Sequence, residues 1–172
     1  GAHSNLCVNQ IKRNGSEAQK KKYLPKLISG EHVGALAMSE PGAGSDVSSM
    51  KLRAHDNCGY YLLNGNKMWI TNGPVAETLV VYAKTDPAAG ARGMTAFIVE
   101  KGTAGLDATR ESYMGLRPLE LSKLTFTDVK VAGDAKLGGD KACDLQRLVD
   151  LSRIGIAALA VGGGQAVLDY VK

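Results

Sequence analysis

Two short segments carry residue types that could do chemistry together. Ala37-Met38-Ser39-Glu40-Pro41-Gly42-Ala43-Gly44-Ser45-Asp46 is rich in glycine and small polar residues. Such a loop leaves backbone N–H groups free to point at an anion or at the polar edge of a ring. Trp69-Ile70-Thr71-Asn72-Gly73 begins twenty-three residues after Asp46 and holds the only Trp of the chain. A flat apolar indole beside the Thr71 hydroxyl suits an isoalloxazine ring, which needs a plate on one face and hydrogen-bond donors at its edge. Taken singly, Trp69 is a core aromatic and Ser45 before Asp46 is a turn residue. Both in this order and spacing, with a hairpin expected between them, make a specific signal.

The elements that must position these residues change character along the chain. Residues 4–30 predict two helices, with Ser16 and Gln19 as a capping box, Gly30 as a stop, and Pro25 as a kink or a split. From Val33 the period shortens toward two. Tyr60–Leu63 and Lys67–Ile70 flank Asn64-Gly65, which predicts a hairpin. Further strands are expected at Thr78–Lys84, Met94–Glu100 and Ser122–Val131. After Gly138-Gly139 the pattern is helical again, and Leu145, Leu148, Val149, Ser152, Ile156 and Leu159 trace an inward stripe through Val171. Gly162-Gly163-Gly164 within it implies close packing or a break. The fold class is therefore α+β, with an antiparallel, barrel-like middle flanked by helices.

Composition bounds the function further. The 172 residues are 44% apolar, enough for a core, and the net charge of +4 is too small to imply nucleic acid. Lys20, Lys21, Lys22 and Lys26 read as a solvated helix face. Cys7, Cys58 and Cys143 are odd in number and far apart, which predicts free thiols in a reducing compartment. His3, His32 and His55 lack ligand spacing, so they are expected at the surface and no metal is assigned. No apolar run of membrane-span length and no targeting segment is expected. Gly42 and Gly44 do not extend into a dinucleotide fingerprint, which argues against a nicotinamide enzyme.

With Glu40–Asp46 and Trp69–Gly73 in hand, the chain resembles the acyl-CoA dehydrogenase family, residues 1–105 most of all its isovaleryl branch. The resemblance implies that residues 1–32 end an N-terminal helical domain, 33–138 form the middle β-domain, and 139–172 start a C-terminal helical bundle. It implies FAD as cofactor, with Leu36, Met38 and Ser39 on the ring, Ser39 standing where Thr is usual. Ser45 would touch the flavin pyrophosphate and lie near the thioester, Trp69 would cover the ring face away from substrate, and Thr71 would bond its N5/O4 edge. Asp150 and Arg153 would contact the CoA moiety; by residue type alone they are a surface ion pair.

The implied reaction is oxidation of the Cα–Cβ bond of a short or branched acyl-CoA, with a carboxylate taking the α-proton and electron-transferring flavoprotein as acceptor. A homotetramer in the mitochondrial matrix or bacterial cytoplasm is implied as well. One departure matters. The isovaleryl branch carries its base where this sequence has Ser152, and other branches place it beyond Lys172, so no catalytic residue is expected within the chain. A non-catalytic flavin or acyl-CoA binding module, a subunit of a hetero-oligomeric dehydrogenase, and a purely structural β-domain stay open.

Overall fold

The computed structural model describes residues 1–139 and 143–172. A wide π-type helical turn, Ala2–Val8, runs into α1 (Asn9–Asn14) and then α2 (Glu17–Ser29). The Ser16 hydroxyl accepts from the Gln19 N–H while the Gln19 side chain accepts from the Ser16 N–H, so the capping box is real. Gly30 ends α2 in the left-handed conformation, at φ 82°. Pro25 does not split the helix, which runs unbroken through it. His3 is half-buried and its ring is engaged: it bridges Leu27 O at 2.9 Å and the Gly34 N–H at 2.8 Å, tying the opening turn to α2 and the first strand.

Among the described residues seven strands follow: β1 (Gly34–Ala37), β2 (Arg53–Asp56), β3 (Tyr60–Thr71), β4 (Thr78–Lys84), β5 (Met94–Glu100), β6 (Leu106–Arg110) and β7 (Leu121–Ala132). They form one sheet in the order β1-β4-β2-β3-β7-β6, with β5 on the other side of β4, curled into a half-barrel. Most pairs are antiparallel as expected, but β1 and β2 both lie parallel to β4, which makes the sheet mixed. The strands expected at 78–84 and 94–100 have those bounds.

The Asn64-Gly65 hairpin does not form. β3 continues through it, because β7 accommodates Asn64 with an extra residue: the register steps from Leu63↔Val129 to Gly65↔Phe126. Asp128 takes a positive φ of 49° there, and Asn64 satisfies it by accepting from the Asp128 N–H and donating to its carboxylate. A two-residue turn signal is thus overridden by a bulge in a long strand pair.

All of β4 is buried, since its two faces feed two cores. Leu79, Val81 and Ala83 join Phe97, Val99, Leu63, Ile70, Leu124 and Phe126 inside the curled sheet. Val80 and Tyr82 face the other way, onto Cys7, Ile11, Leu27, Met38 and Leu148. A strand covered on both sides reads as a continuous apolar run rather than an alternation.

The last element, α3 (Leu145–Val171), starts from an Asp144 cap and is continuous through Gly162–Gly164. Leu148 is buried, whereas Ile156 and Leu159 of the expected inward stripe are 64% and 68% exposed. No described residue comes within 4 Å of a Cβ built on any of the three glycines, so the expected close packing is not seen among them. Contrary to expectation, α3 is long and apolar enough to cross a membrane, with mean hydropathy 1.5 over its most apolar window. The cause is the charge-free run from Ile154 to Leu168. Of the expected third domain, residues 140–142 lie outside the described residues.

Candidate functional site

Trp69 reaches the surface through a defect in its strand. Between Lys67↔Leu124 and Ile70↔Ser122, β3 carries one residue more than β7, and Trp69 adopts φ 58°. In a regular strand Lys67 and Trp69 would share a face. With the extra residue Lys67 and Ile70 both point inward, while Trp69 turns outward and is 44% exposed.

The Met38–Asp46 segment stands beside this bulge. The Met68 N–H donates to Ser39 O at 2.9 Å. Glu40 and Ala43 exchange backbone hydrogen bonds across the Pro41-Gly42 turn. The Glu40 carboxylate accepts from the Lys51 and Leu52 N–H groups, closing the loop that carries Ser45. Asp46 accepts from Ser48 and Ser49, whose hydroxyls hold its carboxyl below the usual range.

Between these walls lies a cavity of about 420 Å³, lined by Leu36, Met38, Ser39, Ser45, Trp69 and Thr71 and closed by Leu148, Val149, Ser152 and Arg153 of α3. The residues expected to meet a flavin ring therefore converge, although the hairpin argued to bring them together is absent. A neighbouring cavity of about 580 Å³ shares Ser45, Val47, Val149 and Arg153 and extends past Arg92, Met94 and Tyr82. Asp150 lines neither cavity; it accepts from Gln146 and stands 3.6 Å from Arg153, both side chains exposed. No carboxylate is among the described residues that line the first cavity.

Two further features of the site are visible only in the structure. Ala2 and Leu6 of the opening turn also line the cavity, and nothing in their types marks them. Lys67 is wholly buried and paired with Glu40 at 2.9 Å directly behind the site. Burial holds the Lys67 ammonium down to about 8 despite that partner. Burial alone would raise Glu40, but the Lys51 and Leu52 N–H groups and the Lys67 ammonium outweigh it and its carboxyl sits low. A lysine directly before the apolar Met68-Trp69-Ile70 run was the available signal.

The glycine-rich loop, the exposed Trp and the half-barrel define a flavoprotein-like platform, and comparison with known proteins supplies the family. Residues 35–129 match the acyl-CoA dehydrogenase middle domain and residues 1–31 its N-terminal domain. The chain belongs to the acyl-CoA dehydrogenase family. It is 55% identical over 175 residues to mitochondrial isovaleryl-CoA dehydrogenase of Pongo abelii, covering 99% of this chain and 41% of that protein. The Arabidopsis thaliana protein of the same name is 56% identical over 174 residues, covering 99% and 42%. In structure, the chain is similar to glutaryl-coenzyme A dehydrogenase in its glutaryl-CoA complex, with TM-score 0.89 and 40% identity, covering 98% and 43% of the two chains. The chain thus spans about two-fifths of the length of these relatives.

Proposed function

We propose that this chain is the flavin and thioester platform of an enzyme that dehydrogenates an acyl-CoA between Cα and Cβ, with FAD as cofactor and a short or branched acyl group as substrate. The observation that carries the proposal is the convergence of Ser39, Ser45, Trp69 and Thr71 on one cavity. Its volume of about 420 Å³ falls in the range of roughly 300–1,000 Å³ typical of small-molecule sites. The residues fit the ring: an exposed indole, apolar Leu36 and Met38, and three hydroxyls at the rim. FAD, when bound, supplies the hydride acceptor.

In this reading the indole of Trp69 covers one ring face, the Thr71 hydroxyl donates at the polar edge, and Ser45 serves both the diphosphate and the neighbouring cavity. Arg153 supplies a cation where the two cavities meet, suited to the phosphates of CoA. Asp150 steadies Arg153 rather than lining the cavity. Residues 1–32, 33–138 and 139–172 correspond to the end of the helical domain, the β-domain and the first bundle helix. A charge-free run such as Ile154–Leu168 belongs in the interior of a bundle as naturally as in a bilayer, and family membership favours the bundle for α3. Electron-transferring flavoprotein as acceptor, a homotetramer, and a matrix or bacterial cytoplasmic location complete the proposal.

One observation favours a second reading, a flavin and acyl-CoA binding module without turnover: Ser152 faces the cavity where a general base would be needed, and a hydroxyl cannot hold the α-proton. Titration of FAD into the purified chain, followed by Trp69 emission and amide chemical shifts, tests the platform. Weak binding is expected, because one wall of a pocket gives little preorganised, desolvated contact. Shifts should centre on Ser39, Ser45, Trp69 and Thr71. Saturation without change at those residues, or no response at millimolar FAD, refutes the assignment.

A further inference from the structure

The Lys67–Glu40 pair lies behind the platform and has no place in the proposed chemistry. We infer that Lys67 and Glu40 are positioning residues, a buried clasp that joins the Met38–Glu40 loop to the Met68–Trp69 bulge and so sets the spacing of the two cavity walls. The inference rests on the flavin reading for its purpose, but its geometry stands apart from any ligand.

Lys67 Nζ donates to Met38 O at 2.9 Å and to Glu40 Oε1 at 2.9 Å, and lies 3.6 Å from Met50 Sδ. One residue later the Met68 N–H donates to Ser39 O. The Lys67 side chain and the Met68 backbone, the two β3 residues that lead into Trp69, therefore grip three consecutive loop residues. Glu40 is shared with the far end of the loop, where it accepts from Lys51 N at 2.6 Å and Leu52 N at 2.9 Å. A single carboxylate thus connects Ser39, the closure of the Ser45 loop and, through Lys67, the residue on which Trp69 turns.

A buried ion pair is poor evidence for stability, since apolar residues of similar volume often serve a fold equally well. What charges add is a unique arrangement: both partners must meet, and each has its remaining hydrogen-bonding capacity directed at one loop. Trp69 and Asp128 are the non-glycine residues where β3 and β7 leave regular geometry with positive φ. Asp128 is held by Asn64, and the clasp is the corresponding device at Trp69.

The test uses Lys67→Met and the double variant Lys67→Met/Glu40→Gln, which leaves no buried charge if the single variant fails to fold. The sole Trp reports platform geometry without flavin. Compared with wild type, the amide of Met68 should lose exchange protection by about tenfold or more relative to the amides of Leu63 and Phe126, and Trp69 emission should shift to the red with lower anisotropy. A merely structural pair would lower protection equally at all three amides. Equal loss, or unchanged Met68 protection and Trp69 emission, overturns the inference. The flavin reading is judged separately on wild-type protein: if FAD moves no resonance of Ser39 or Thr71, that reading fails while the exchange result for the clasp stands.

Discussion

Replacing Leu148 by Ala should loosen α3 from the rest of the protein while leaving the sheet intact. Leu148 is 2% exposed and is the buried residue of α3, packed in the core that holds Cys7, Ile11 and Val80. Its neighbours Leu145, Val149 and Ser152 are only half-buried. Truncation removes three carbons, about 2.4 kcal/mol at ~0.8 kcal/mol each, before any cavity term. Core Leu→Ala changes span about 2–5 kcal/mol, and the exposed flank of α3 allows the site to relax, so the lower end applies. At ~1.4 kcal/mol per decade the docking equilibrium falls about fifty-fold. Hydrogen exchange should show this at Leu145–Arg153 and in the Ala2–Val8 turn, with β3 and β7 little changed. Ile154→Ala, at a position 65% exposed, is the control and should stay within about 0.5 kcal/mol of wild type. Protection lost equally in β3 and α3, or less than about fivefold in α3, would refute the view that one side chain anchors the helix over the cavity.

With acyl-CoA bound, Ser152→Glu should raise exchange of the substrate α-hydrogen with deuterated solvent about 10²–10⁴-fold over Ser152→Gln, and equal rates would sink the placement of that helix face. Urea unfolding should reveal an acid limb. Glu100 is held below the usual carboxylate range by Lys22 and Tyr23, and Glu77 and Glu40 by backbone N–H groups that outweigh their burial. Lowered folded values stabilise fully above the unfolded ones, so stability is lost progressively as pH falls below about 4.3 and through the lower folded values, and Glu100→Gln should shallow that loss. Cys7, pushed by burial from 9.0 up to about 12, acts at the other end: the unfolded thiol ionises first, so stability falls as pH rises above 9. Lys67, held down to about 8, works in the opposite sense there. The Cys7 limb is therefore read as the difference from Cys7→Val, which should lack it.

Local chemistry was legible from residue order alone. The Ser16–Gln19 box, the Gly30 stop and the strands at 78–84 and 94–100 depend on contacts within a few residues or on an unbroken apolar run, and they formed as expected. The Ser39 and Trp69 segments converge too, but through the long-range bond from the Met68 N–H to Ser39 O and not through the hairpin expected to join them. Asn64-Gly65 misled because a turn signal competes with everything that pairs on either side of it, and β7 offered β3 a continuous partner at the cost of one extra residue. The short strands β1, β2 and β6 have too few residues to show a period, and their existence is decided by the edges they pair with. Only the tertiary structure could turn Lys67 inward and Trp69 outward, since the bulge that reverses strand alternation arises from the register between two strands fifty residues apart in the chain. Residue types in sequence state which groups are available for chemistry; long-range pairing decides which of them share a cavity and which, like Asp150, stand outside it.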